Sequence, residues 1–312
     1  LLSQEQAIAL LRGAIATKRI APAYLFAGSP GVGRSLAAKE FIKILFCQDI
    51  PPEKQPLVQR RLDQGNHPDV LWVEPTYLHN GIRLSAKEAA EKGLQRKAPP
   101  QIRLEQIREI AQFFSRSALE ASRKVVVLNQ AETMAEAAAN GLLKTLEEPG
   151  QGTLILIAPS TESLLPTLVS RCQRIPFYRL AQSDMEEVLR RTGHEAILQE
   201  PSILAIAQGS PGGAIASFAQ LQSIPQELLQ EVQVRPKSTR HALELAKTID
   251  KTLDTETQLW LVDYLQHCYW QSQHQPAIIQ HLEQARKYLL GYAQPRLVWE
   301  VTLLELVQNR SF

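Results

Sequence analysis

The chain has 312 residues, 44% of them hydrophobic and 21% charged, with a formal net charge of +2. Those proportions are ordinary for a folded globular protein, and the length predicts two or three domains. The near-neutral balance excludes nucleic-acid binding through overall charge, so any such role needs a local patch or a partner. The longest apolar stretches, such as Val125–Leu128 and Leu154–Ala158, are strand-sized, well short of the ~20 residues of a membrane span. No basic, apolar, small-residue leader opens the chain, so secretion is not expected. It starts Leu1-Leu2-Ser3 without an initiator Met, which suggests numbering from inside a longer product. Cys47, Cys172 and Cys268 lie far apart with no C-x-x-C. Neither a local zinc knuckle nor a disulfide framework is expected, and a reducing, cytoplasmic setting follows.

In chain order, short β-rich runs alternate with helical patterns through the first half, the pattern of an α/β domain with a largely parallel sheet. The predicted strands are Ala23–Ala27, Val70–Glu74, Lys124–Leu128, Thr153–Ala158 and Gln173–Phe177. Between them Leu104, Ile107, Ile110, Ala111 and Phe114 recur at helical spacing behind Pro99-Pro100. Thr133–Glu148 reads as a helix stopped by Pro149-Gly150. The polar stretch Thr76–Pro100 reads as a surface insertion, a solvated helix and loop in preference to a DNA contact. Its Arg83, Lys87, Lys92, Arg96 and Lys97 stand against Glu88 and Glu91. After Phe177 the strand signals end. Gln182–Arg191, Ser202–Gln208 and Gly213–Leu221 read as short helices, the last two separated by a Gly209-Ser210-Pro211-Gly212-Gly213 turn. From Pro225 onward the pattern is helical and amphipathic, including Leu259–Leu265 and Leu297–Val307.

Gly28-Ser29-Pro30-Gly31-Val32-Gly33-Arg34-Ser35 follows a predicted strand and opens a predicted helix, the context that G-x-x-x-x-G-K-[ST] requires. Gly28, Gly31 and Gly33 let backbone N–H groups curl around phosphate oxygens at a helix N-terminus. Arg34 stands where lysine would. Lysine is a compact point charge that fits the loop, whereas arginine is longer, planar and suited to fork-shaped partners. After the strand ending at Leu128, a P-loop ATPase places an Asp for magnesium and a Glu for the attacking water. This chain places Asn129 and Gln130. An amide is a neutral, poorer ligand for a hard cation, and Gln130 cannot act as a base. The scaffold is that of a P-loop protein, and its hydrolytic chemistry is expected to be lost.

Two longer motifs carry a family resemblance. Ala139-Asn140-Gly141-Leu142-Leu143-Lys144-Thr145-Leu146-Glu147-Glu148-Pro149 resembles a signature of bacterial clamp-loader AAA+ subunits. Leu164-Leu165-Pro166-Thr167-Leu168-Val169-Ser170-Arg171-Cys172 resembles the Ser-Arg-Cys motif of the same family. With Pro22–Ser35 and Asn66-His67-Pro68-Asp69-Val70, the resemblance spans residues 3–223. It implies a RecA-like AAA+ P-loop base with a parallel sheet over residues 1–176, a small helical lid over 177–223 and an all-α collar over 224–312. It also implies a ring assembled with gamma/tau and delta subunits that loads a sliding clamp onto primed DNA, as part of a DNA polymerase III holoenzyme.

Within the family, Arg34, Asn129, Gln130 and the arginine-free Gly209–Gly213 run resemble a member without ATPase activity more than the gamma/tau motor. The first sensor position falls near Ser160. The family usually has four zinc-binding cysteines after the P-loop helix. Only Cys47 stands in Cys47–His67, so no zinc is expected, with His67 a loop residue. The resemblance makes Arg171 an arginine finger acting in trans on ATP bound by the neighbouring subunit, a role worth ~10³–10⁵ in rate. An alternative role for Arg171 is to complement carbonyls at a helix C-terminus. Ser170 is expected to cap or orient, and Cys172 to be a small buried apolar group. Trp260, Tyr264, Tyr269 and Trp270 are expected to be core or oligomer contacts, since nothing beside them is basic enough for nucleotide stacking. Two other functions stay open: an ATP-hydrolysing gamma/tau-type motor in which Arg34 still serves the phosphates, and a retired AAA+ paralogue acting as an interaction protein outside replication.

Overall fold

A computed structural model describes residues 3–48, 50–92, 98–147, 150 and 152–308, which divide into two compact units, Leu1–Leu180 and Ala181–Phe312. The first unit runs α1 (Glu5–Ala16), β1 (Ala23–Ala27), α2 (Arg34–Cys47), α3 (Gln55–Asp63), β2 (Val70–Val73), β3 (Tyr77–His79), β4 (Ile82–Leu84) and α4 (Ala86–Glu91). It continues with α5 (Leu104–Phe114), β5 (Val125–Leu128), α6 (Glu136–Glu147), β6 (Thr153–Ala158), α7 (Pro166–Val169) and β7 (Gln173–Pro176). Five of its strands form one sheet in the order β2-β5-β6-β1-β7, with every pairing parallel.

A parallel sheet has to be covered on both faces, and the period-2 alternation of its strands divides them cleanly. Tyr24, Phe26, Val125, Val127, Ile155 and Ile157 meet Ala7 and Leu11 of α1 and Phe41, Ile42 and Leu45 of α2 on one face. Leu25, Val126, Leu128, Leu154 and Leu156 meet Ile107 and Ile110 of α5, Leu142 and Leu146 of α6, and Leu168 of α7 on the other. Leu25, Phe26, Val126, Ile155 and Leu156 have no exposed surface, each such burial favouring the fold by about 1.5–3 kcal/mol.

The five predicted strands of the sheet are present, each within a residue of its expected ends. Three local readings are corrected. The 76–100 insertion is not only helix and loop, because β3 and β4 form an antiparallel hairpin through Asn80 and Gly81, φ 49° and 79°. Asn-Gly is the residue pair that such a left-handed two-residue turn selects. Arg83 of this hairpin is paired with Glu109 of α5, while Arg96 and Lys97 lie outside the described residues. The helix expected from Thr133 is preceded by a 3₁₀ turn at Ala131–Thr133 and begins at Glu136; Glu148 and Pro149 also lie outside the described residues. The Gly209–Gly213 run is not all turn. A helix starts inside it at Pro211, because Ser210 caps the end, its Oγ accepting from Gly213 N–H at 3.0 Å.

The second unit is helical: α8 (Gln182–Arg191), α9 (Pro201–Ala207), α10 (Pro211–Ser223), α11 (Gln226–Val232), α12 (Thr239–Thr252), α13 (Thr255–Gln273), α14 (Pro276–Leu290) and α15 (Pro295–Gln308). Leu245, Ile249, Leu261, Leu265, Ile278, Leu282 and Trp299 form its core. The fully buried Trp299 needs a partner for its N–H and donates to Gln258 Oε1 at 2.9 Å, while Gln258 Nε2 donates to Leu253 O at 2.8 Å. Tyr269 is a core residue whose hydroxyl donates to Val232 O at 2.9 Å, whereas Trp270 is 46% exposed. No helix among the described residues is long and apolar enough to cross a membrane.

One buried carboxylate ties the loop before β5 to the start of β2. Asp69 is fully buried, and its oxygens accept from the N–H groups of Leu119, Glu120 and Ala121 at 2.8, 2.7 and 2.7 Å. Burial alone raises a carboxyl pKa, but the three N–H donors outweigh it and hold Asp69 below its ordinary value. A pKa depressed by folding adds stability above the unfolded-state value, ~3.9, and that stability is lost as pH falls through the folded value. Asp69→Asn is therefore expected to lower stability by about 1.5–3 kcal/mol at pH 7. In urea melts the gap to wild type should close as the pH is taken below that of free carboxylates. A gap that stays constant with pH would show that the charge is not what holds the loop.

Candidate functional site

β1 ends in a tight junction. Gly28 N–H donates to Ala158 O at 3.2 Å, and Phe177 N–H donates to Ala27 O at 2.7 Å. A Cβ on Gly28 would stand 2.3 Å from Phe177 O, so the neighbouring strand leaves room only for glycine. The chain then passes through Gly31 and Gly33 at φ 79° and 99°, and α2 begins at Arg34. Gly33, the N-cap, has no side chain to satisfy the first-turn N–H groups. These donors and the positive end of α2 are the parts of a phosphate cradle, with Ser35 half-buried in the first turn.

The charge inside the cradle is altered. Arg34 is half-buried, and its Nη1 is enclosed with no hydrogen-bond partner. Burial lowers its pKa, and the charge of Glu132 partly restores it. The Glu132 carboxyl is itself held above its ordinary value by burial, against the pull of its own backbone N–H and of Arg34. A negative charge from the chain itself thus stands near Arg34. Glu132 lies outside the motif positions that Asn129 and Gln130 occupy, so motif spacing does not single it out. The signal was an acid just past two amides that stand where acids belong.

Asn129 and Gln130 follow β5, so the parallel register of β5, β6 and β1 brings them to the same sheet edge as the loop. Ser160, just past β6, stands at that edge too. Asn129 N–H donates to Val73 O at 2.9 Å, and its side-chain amide reaches toward Glu74 Oε1 at 3.5 Å. Gln130 takes a left-handed backbone, φ 52°, with its side chain exposed. Its carbonyl accepts from Thr133 N–H and Oγ1 at 2.9 and 2.8 Å, which starts the 3₁₀ turn carrying Glu132. This donor set does not fit hydrolytic magnesium–ATP: two amides replace the acids, and a half-buried guanidinium replaces the lysine.

Arg171 lies elsewhere. It precedes β7, whose Gln173 is registered against Tyr24 near the start of β1, so it occupies the opposite edge of the sheet from Gly28–Ser35. It is exposed, with Nη1 donating to Thr167 O at 3.1 Å and Nη2 to Glu147 Oε1 at 2.9 Å. Ser170 Oγ donates to the same Thr167 carbonyl at 3.1 Å, the capping contact expected of it. Arg171 thus complements a helix-end carbonyl and pairs with a carboxylate of the clamp-loader-like signature, a partner that spacing did not predict. Cys172 packs against the core beside α7, and burial pushes its thiol up to about 11.

Around the region read for zinc, His67 is a buried loop residue. Its Nδ1 accepts from Asp69 N–H at 3.2 Å, and its ring lies 4.9 Å from that of Phe46. Among the described residues no three His, Cys, Asp or Glu side chains converge as a metal site.

Residues 3–181 match the family described as DNA polymerase III, delta subunit, and residues 183–306 match that described as cyanobacterial DNA polymerase III delta prime, C-terminal domain. The DNA polymerase III subunit delta' of Bacillus subtilis is 34% identical over 189 residues, covering 60% of this chain and 51% of that protein. Its counterpart in Pseudomonas aeruginosa is 35% identical over 198 residues, covering 61% and 54%. The chain therefore spans about half the length of these curated relatives. A crystal structure of a DNA polymerase III gamma subunit-related protein from Thermotoga maritima shares the fold, with a TM-score of 0.55 over 97% of this chain and 99% of that one at 18% identity. With a RecA-like parallel sheet behind a P-loop, a helical unit after it and these two families matched in succession, the chain belongs to the DNA polymerase III delta-prime family of AAA+ clamp-loader subunits.

Proposed function

We propose that the chain is a non-hydrolysing stator of the clamp loader. It assembles with gamma/tau and delta subunits in the cytoplasm to load a sliding clamp onto primed DNA. The observation that carries this reading is the triple replacement at one sheet edge, where Arg34, Asn129 and Gln130 stand in for the lysine, the magnesium ligand and the water-orienting acid. The Glu132 charge beside Arg34 supports it, since an anion of the chain's own disfavours a bound triphosphate. In this reading residues 1–176 are the base, 177–223 the lid and 224–312 the collar that joins the ring.

Arg171 is the finger offered to the neighbour's ATP. Its exposure, and its separation from its own cradle by the length of the sheet, support action in trans: roughly 16 Å for the five residues of β1 at ~3.3 Å each. A permanently charged planar group stabilises charge that develops on phosphate in the transition state.

Three outcomes are expected. The purified chain shows no ATPase above background in a phosphate-release assay, and Asn129→Asp with Gln130→Glu does not restore it while Arg34 remains. Appreciable wild-type turnover would overturn the stator reading in favour of a motor. Elemental analysis finds no zinc; a stoichiometric amount would show that Cys47–His67 holds a ligand set after all. Arg171→Ala leaves the chain folded and assembled, since a helix-end Arg contributes about 1 kcal/mol or less. It lowers clamp-stimulated ATPase of the complex in part and clamp loading more steeply, and Arg171→Lys rescues little because an ammonium lacks the planar fork. Undiminished loading by an assembled Arg171→Ala complex would reduce Arg171 to a capping residue.

A further inference from the structure

Arg171 is exposed but not loose. Its two contacts, Nη1 to Thr167 O and Nη2 to Glu147 Oε1, use two of the five N–H donors that a guanidinium carries in one plane. Two acceptors carried on packed helices define that plane and leave the other donors available. Both acceptors are well anchored. Glu147 lies in α6, and Thr167 lies in α7. Leu142 and Leu146 of α6 share one core with Leu168 and Val169 of α7, all of them buried. The carboxylate and the carbonyl that grip Arg171 therefore come from two helices locked against the same sheet face.

The energetics point to geometry as the purpose. The ion pair is solvent-exposed, with side chains 39% and 55% accessible, and such pairs add little stability. A carboxylate near a docking triphosphate also opposes the anion. Neither effect explains a glutamate here, whereas orientation does: a finger acts only if its donors stand where charge develops.

We infer that Glu147 is a positioning residue for Arg171, which with the Thr167 carbonyl holds the guanidinium plane so that its free N–H edge meets the neighbouring subunit's phosphates. This rests on the trans reading of Arg171 proposed above. Glu147 acts through Arg171 and touches no substrate.

The test uses the full chain in a reconstituted complex with ATP, clamp and primed DNA. Glu147→Ala is expected to lower clamp-stimulated ATPase in part, by no more than Arg171→Ala does, and to slow clamp loading about tenfold, as a displaced reacting group does, without raising KM for ATP. Glu147→Gln, which keeps an acceptor oxygen at the same reach, should recover most of the rate. In an Arg171→Ala background, Glu147→Ala should change nothing further. Full activity of Glu147→Ala beside an impaired Arg171→Ala would overturn the inference and leave the finger intact. An equal loss in both backgrounds, or failure of the Glu147→Ala complex to assemble, would assign Glu147 a structural role and also overturn it. If Arg171→Ala itself is silent, the trans reading falls first and Glu147 with it.

Discussion

β1 is the constraint from which the first unit is built. It is hydrogen-bonded to β6 on one side and β7 on the other, and four of its five side chains are buried. A strand paired on both edges and covered on both faces cannot shift by one residue without sending Tyr24 and Phe26 into the wrong core. That register brings Gly28 against the Phe177 carbonyl, opens the loop over α2, and aligns the ends of β5 and β6 beside it. The cradle keeps its shape because the sheet dictates it, whatever chemistry its side chains retain. This is how a P-loop can lose lysine and both acids and still fold as one.

The same framework separates two roles along the strands. At the carboxyl edge stand Arg34, Asn129, Gln130 and Glu132, where the charges of Arg34 and Glu132 act on each other. At the amino edge stands Arg171, gripped by Glu147 and the Thr167 carbonyl. An arginine at that edge is presented outward from the unit, away from the chain's own loop. Replacements at one edge leave the other edge untouched, since the sheet between them is held by strand pairing and apolar burial and not by the charges of either edge.

Much of this was legible in sequence. The five sheet strands, α5, the strand–loop–helix context of Gly28–Ser35 and the helical second half follow from apolar periodicity and Gly/Pro punctuation, local signals that burial on a parallel sheet reinforces. The replacements at Arg34, Asn129 and Gln130 are matters of residue identity and need no coordinates. The hairpin at Tyr77–Leu84 was missed although Asn80-Gly81 announced it, because short strands in a polar stretch carry little periodicity. The start of α10 at Pro211 is hidden in sequence because Gly212 and Gly213 are poor helix formers, and the Ser210 cap outweighs them.

What tertiary structure alone decided are contacts between residues far apart in the chain. Asn66–Val70 was read as a family motif, yet Asp69 serves by accepting three N–H groups from residues 119–121. Glu147 and Arg171 sit in two separate motifs, and only the packing of α6 and α7 on one sheet face joins them. Glu132 acts on the charge of Arg34 from a 3₁₀ turn that follows the left-handed backbone at Gln130. Sequence sets propensity and chemical identity residue by residue. Which charge meets which depends on strand order and helix packing, and these are settled only when the whole apolar core is buried at once.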